Sequence, residues 1–156
     1  MNPGDVVASR FEIESLAGTG GMGAVYRAID RVGREPVALK TLKTSDEQSM
    51  ERFLREAQVL AKLSHPGIVR YVTHGRTALG ELFLAMEWLD GESLSQRLAR
   101  EGLLLEETLS FGLCVAEALS VAHKRGIVHR DIKPNNLFLV GGNPKTRKRL
   151  FGLMSR

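Results

Sequence analysis

"VHRDIKPNN", residues 128–136, brings an acid, a cation and a carboxamide together in Asp131, Lys133 and Asn136. Pro134, between the last two, prevents a regular helix, so the segment reads as a turn. Such a turn can orient a hydroxyl, offset the charge of a phosphate and offer an oxygen to a metal. Any one of these residues alone would pass as part of a polar surface turn. Their meaning as a set depends on what the chain places upstream.

Upstream, Gly18, Gly20 and Gly23 form G-x-G-x-x-G. A dinucleotide fingerprint would enter a helix here, with an acid about 20 residues later. Instead "AVYRA" continues as strand, and Lys40 stands 17 positions after Gly23. A Walker A loop needs Lys and then Ser or Thr directly after its last glycine. Ala24 and Val25 exclude that. What remains is a glycine-rich hairpin able to close over phosphates, a pattern that by itself also fits an ordinary tight turn.

"RFEIESLAGTGGMGAVYRAID" reads as that hairpin and "PVALKTL" as the next strand, whose alternation puts Ala38 and Lys40 on one face. An amphipathic helix follows, opened by Ser45 with Gln48 at capping-box spacing, and Phe53, Ala57 and Leu60 mark its inward stripe. Glu56 lies on that stripe, and an inward carboxylate requires a partner. Lys40, otherwise an ordinary strand lysine, would supply the cation. Two more strands are expected in "HPGIVRYVTHG" and "ELFLAMEWL", then a linker at "DGESL" and a short helix at "SLSQRLAR". A long helix from about Glu106 to Lys124 stops at Gly126. It is apolar on most faces and calls for neighbours all round.

The 156 residues suit one domain, and 43% hydrophobic with 26% charged residues fits a globular chain. No apolar run is long enough to cross a bilayer, and the amino terminus lacks the pattern of a secretory signal. The single cysteine, Cys114, sits in an apolar helical pattern suited to packing and to a reducing cytoplasm, the expected location. Net charge is +4, but from Ile132 onward there are six basic residues and no acid, so the excess belongs to the tail. A short basic tail without stacking aromatics does not point to nucleic acid.

With "GTGGMGAV", "VALK", "FLREAQVL", "HPGIV", "MEWLDGESL" and "HRDIKPNN" in this order over about residues 11–140, the chain resembles the eukaryotic-like Ser/Thr protein kinases, most closely their bacterial members. The resemblance implies an α+β fold: a complete small lobe of antiparallel sheet plus one helix, then the beginning of a helical large lobe. The implied division is an extension over 1–10, a small lobe with the nucleotide site over 11–89, the start of the large lobe over 90–140 and a basic tail over 141–156. It implies ATP and Mg²⁺ as cofactors and a protein bearing Ser or Thr as substrate. Gly18, Gly20 and Gly23 would cover the phosphates, and Val25 and Ala38 would sandwich the adenine. Lys40, paired with Glu56, would hold the α- and β-phosphates. Met86 would be the gatekeeper, with the backbone of Glu87 and Leu89 reading the adenine edge. Asp131 would orient the attacking hydroxyl and accept its proton, Lys133 would offset charge on the moving phosphoryl group, and Asn136 would bind one Mg²⁺. His129 would be structural, and Arg130 would engage a phosphorylated activation loop.

One departure stands out. In "LFGLMSR" the family's Asp-Phe-Gly has Phe151 and Gly152, but Leu150 occupies the place of its metal-binding aspartate. No acid follows Asp131 that could take over. A bridging metal is worth several kcal/mol, so loss of that ligand implies a rate reduced on the order of a thousandfold or more, with ATP binding retained at a lower metal-assisted affinity. The long apolar helix is also expected to expose apolar surface. Three readings stay open on the sequence: an ATP-dependent Ser/Thr kinase, a pseudokinase that binds nucleotide without turnover, and a kinase fragment without function.

Overall fold

The computed structural model describes residues 1–20, 23–43, 46–141 and, as backbone, 148–150. Two compact units share the chain: Met1–Ala61 with Tyr71–Trp88, and Lys62–Arg70 with the segment from Leu89 onward.

The first unit is a six-stranded antiparallel sheet. Its strands are β1 (Val6–Val7), β2 (Phe11–Gly20), β3 (Gly23–Asp30), β4 (Glu35–Leu42), β5 (Tyr71–Arg76) and β6 (Leu82–Glu87), in the order β1-β2-β3-β4-β6-β5. Period-two alternation decides which side chains are buried together. Along β3, Ala24, Tyr26, Ala28 and Asp30 are buried, whereas Val25, Arg27 and Ile29 are half-buried. Of the first set, Ala24, Tyr26 and Ala28 join Phe11, Ile13, Val37, Leu39, Phe83 and Ala85 in one core. Val7 of β1 belongs to that core as well, so residues before Phe11 take part in the sheet.

Register assigns the opposite face. Val25 pairs with Lys40 and Arg27 with Ala38, and beyond them Lys40 pairs with Leu84 and Ala38 with Met86. Directly opposed residues share a face, so Val25, Arg27, Ala38, Lys40, Leu84 and Met86 lie together. Helix α1 (Glu47–Leu60) packs against β5 and β6, burying Phe53, Glu56, Ala57 and Leu60. Its cap is not the expected Ser45, which lies outside the described residues. The Asp46 carboxylate accepts from Ser49 N–H at 2.8 Å, a charged acceptor at the positive end of the helix.

In the second unit the expected linker is partly ordered: Gly91–Ser93 form β7, which pairs with β8 (Leu137–Val140). Ser93 then caps α2 (Leu94–Arg100) in a capping box with Gln96. Helix α3 runs Leu105–His123 and stops before Gly126, whose φ of +69° suits glycine. Phe111, Ala118 and Ala122 are its buried positions, and the loop around Gly67 lies against Ala118. Leu105, Leu109 and Leu113 are exposed, as expected for this helix. Strand β9 (Lys148–Leu150) pairs with β8. No described helix is long and apolar enough to cross a membrane.

Candidate active site

The glycine hairpin is made by the ends of β2 and β3, where Gly18 pairs with Val25 and Gly20 with Gly23. The three glycines differ physically. A Cβ on Gly23, at φ +156°, would lie 1.8 Å from the carbonyl oxygen of Thr41 on β4, so the sheet itself demands glycine there. At Gly18 and Gly20 an added Cβ would meet nothing within 4 Å. Among the described residues their bareness serves no packing contact, which leaves their backbone open to close approach by a ligand. The turn residues Gly21 and Met22 lie outside the described residues.

Lys40 extends from β4 toward α1. Its Nζ donates to both Glu56 oxygens, at 3.1 and 3.0 Å, and lies 5.7 Å from the centre of the Phe53 ring. The Glu56 side chain is 4% exposed and that of Lys40 25%. The buried acid therefore has its partner, and the lysine side chain stays partly exposed. Val25, Ala38 and Met86 flank this pair on the same sheet face, with Ala38 and Met86 buried and Val25 half-buried. Glu87 ends β6 half-buried, and the half-buried Leu89 begins the second unit's longer segment.

The catalytic-type loop is built within the second unit. Val128 to Lys133 has no regular helix, and Pro134–Asn136 form one 3-10 turn that leads into β8. The turn folds Asn136 back: its Nδ2 donates to the Asp131 carbonyl and carboxylate, each at 2.9 Å. Lys133 Nζ stands 2.8 Å from the same carboxylate. Lys133 first, and Asn136 second, hold the Asp131 carboxyl below its ordinary range. It is thus a carboxylate at neutral pH, still 38% exposed, and suited to align a hydroxyl more than to store a proton.

His129 is 2% exposed, and its Nδ1 accepts from Asp131 N–H at 3.2 Å. Burial pushes its pKa down, partly offset by the Asp131 charge, which favours a neutral ring. Nε2 then carries the proton, without a hydrogen-bond partner among the described residues. Arg130 adopts φ +61°, a strained backbone that turns the chain between the buried His129 and the exposed carboxylate.

Among the described residues no group of three or more His, Cys, Asp or Glu side chains could hold a metal ion. The Asp131 carboxylate is already engaged by Lys133 and Asn136. A magnesium ion wants near-octahedral oxygen ligands, so these side chains alone do not form a resident magnesium centre. Leu150 pairs through its backbone with Leu137, while Phe151 and Gly152 lie outside the described residues.

This combination of a bare glycine hairpin, a lysine–glutamate pair and an acid–lysine–asparagine turn on these two units defines a class. A family model of the protein kinase domain matches residues 11–154, and the chain belongs to that family. The serine/threonine-protein kinase PknA of Mycobacterium tuberculosis is 41% identical over 150 residues, covering 89% of this chain and 35% of that protein. The serine/threonine-protein kinase pkn3 of Myxococcus xanthus is 39% identical over 140 residues, covering 87% of this chain and 26% of its own length. In structure, the M. tuberculosis PknI kinase domain superimposes with a TM-score of 0.84 at 32% identity, over 98% of this chain and 62% of that one. The fold is therefore kinase-like, and the chain spans about a third or less of these two curated relatives and under two thirds of the PknI kinase domain.

One feature of this sheet face was not evident in the sequence. Arg27 shares the face of Val25 by simple alternation, yet its contacts with Glu14 and Trp88 depend on which strands become neighbours.

Proposed function

We propose that this chain binds ATP as its magnesium complex and serves the transfer of the γ-phosphoryl group to a Ser or Thr hydroxyl of a protein. The observation that supports it most is the Asp131 carboxylate held between Lys133 and Asn136 while remaining open to a hydroxyl. In this reading Gly18, Gly20 and Gly23 lie over the phosphates, and Lys40, oriented by Glu56, neutralises the α- and β-phosphates. Val25, Ala38 and Met86 form the apolar contact for adenine, and the backbone at Glu87 and Leu89 reads its edge. Asp131 aligns the substrate hydroxyl, whose oxygen attacks the γ-phosphorus as the bond to the bridging β–γ oxygen breaks. ADP leaves with that electron pair, and the hydroxyl proton passes to Asp131 and on to water. Lys133 offsets charge on the phosphoryl group in flight. The carboxamide oxygen of Asn136 would be the group available to a magnesium ion bound with the nucleotide, which would offset phosphate charge there.

A second reading, nucleotide binding without turnover, is favoured by Leu150 standing where the family carries its metal-binding aspartate. One experiment separates the two. Thermal unfolding of the chain is titrated with MgATP, and phosphate transfer to a mixed Ser/Thr substrate protein is followed in parallel, each with Lys40→Ala and Asp131→Asn variants. A ligand that binds the folded state raises the midpoint. A rise weakened by Lys40→Ala, with transfer abolished by Asp131→Asn, supports the kinase. The same rise without transfer in the parent protein leaves the binding module, and no rise at all refutes both.

A further inference from the structure

Arg27 occupies the candidate nucleotide face without a role in the reading above. Alternation along β3 places it beside Val25, and register places it opposite Ala38, which in turn faces Met86 on β6. Its guanidinium carbon lies 5.6 Å from the centre of the Trp88 ring. On its other side Nη1 donates to the Glu14 carboxylate on β2, with both side chains about one third exposed, at 38% and 35%. Trp88 follows Glu87, the last residue of β6. Its backbone N–H reaches the Pro36 carbonyl at 3.4 Å, a long and therefore weak bond. The contacts among Glu14, Arg27 and Trp88 add a side-chain restraint at this point. A planar guanidinium oriented by a carboxylate can fix an indole ring in a way that a flexible ammonium cannot.

We propose that Arg27 is a positioning residue for adenine recognition: through its stack on Trp88 it sets the orientation of the chain leaving Glu87, where the base edge is read. The inference rests on the nucleotide-binding reading above and adds a specificity determinant to it. Arg27 touches no phosphate in this scheme, so its effect is confined to the base.

The test compares MgATP with magnesium tripolyphosphate, which carries the phosphates without the base, in competition titrations on the full chain. Arg27→Met keeps the apolar stem and removes the charged plane. It is expected to weaken ATP by about threefold to tenfold, from the size of one such contact, and to leave tripolyphosphate unchanged. Arg27→Lys is expected to fall between. In the absence of any ligand, the emission of Trp88, the single tryptophan, shifts in Arg27→Met as the ring is released. Should Arg27→Met fail to fold, Trp88→Leu is measured on the same two ligands with the same expectation. Equal weakening of both ligands would mean a general structural role, and unchanged ATP affinity in a parent protein that binds ATP would remove the proposal while sparing the nucleotide reading. No ATP binding by the parent protein overturns both.

Discussion

Removing Lys40 should destabilise the protein even when no nucleotide is present, and the structure allows the size to be worked out. Its Nζ is 3.0 Å from a Glu56 oxygen. At an effective dielectric of about 20, typical near a protein surface, that separation gives a gross attraction of about 5 kcal/mol. The desolvation of Glu56, whose side chain is 4% exposed, consumes much of it. In Lys40→Met the attraction vanishes but the desolvation remains, because α1 still carries the carboxylate inward. Losses of about 3–5 kcal/mol accompany such breakage in fully buried pairs. Since the Lys40 side chain is 25% exposed and solvent screens part of the pair, about 2 kcal/mol is expected here. Replacing both partners, as Lys40→Met with Glu56→Leu, removes the stranded charge and should recover about 1 kcal/mol of that loss. The assay is urea unfolding at pH 7 without nucleotide, followed by Trp88 emission, which reports on the same unit. If Lys40→Met unfolds at the parent midpoint, or if the double variant loses the sum of the two single losses, the coupling inferred from the geometry is refuted. The double variant is also the better non-binding control for ATP titrations, since it separates a lost phosphate contact from a weakened fold.

Other consequences can be checked on the same protein. The Arg10 guanidinium, donating to Asp30 at 2.8 and 2.7 Å, is the largest of the effects that lower the Asp30 carboxyl to about 2 from an ordinary 3.8. Its folded pKa is depressed, so its stabilisation of about 2 kcal/mol is present above pH 4 and lost as pH falls toward 2. Asp30→Asn should cost close to that amount at pH 7, and the gap from the parent should narrow by about half near pH 3 in urea unfolding. His129 is held neutral by burial, with its pKa below the ordinary 6.5. It therefore adds stability above that value that is lost on acidification below it, and His129→Phe should flatten this slope in helical circular dichroism melts from pH 7 to 5. Gly23→Ala forces a methyl against the Thr41 carbonyl and should lower stability by at least about 2 kcal/mol. Gly20→Ala, whose added methyl meets nothing within 4 Å among the described residues, should stay within about 0.5 kcal/mol in urea while weakening ATP binding.

Much of the small-lobe architecture was legible because strand alternation and helical periodicity are local. Period two alone put Ala38 with Lys40, and period 3.6 alone put Glu56 among Phe53, Ala57 and Leu60. The demand of a buried carboxylate for a cation then linked two elements before any distance was known, and the Nζ–Oε separations agree with that demand. Local competition was harder to judge. Ser45 and Asp46 both offer caps to α1, and capping-box spacing favoured the serine, whereas Asp46 holds the Ser49 N–H because a carboxylate is the stronger acceptor at a helix start. Likewise "DGESL" carries turn residues, but Gly91–Ser93 gain a strand because β8, more than 40 residues later, arrives beside them.

The sequence by itself determined which chemistry is available: a glycine hairpin, Lys40, Glu56, Asp131, Lys133 and Asn136, with Leu150 in place of an acid. These are properties of residue type and of spacing within one element, and they survive translation from a string. Tertiary structure decided which of the glycines the fold itself requires, since only the approach of Thr41 from β4 makes Gly23 obligatory while Gly18 and Gly20 stay open. It also decided that Arg27 stacks on Trp88 and that Asn136 turns back onto Asp131. Such contacts depend on strand order and on the path of a turn, which are set by the packing of the whole unit and leave no periodic trace along the chain.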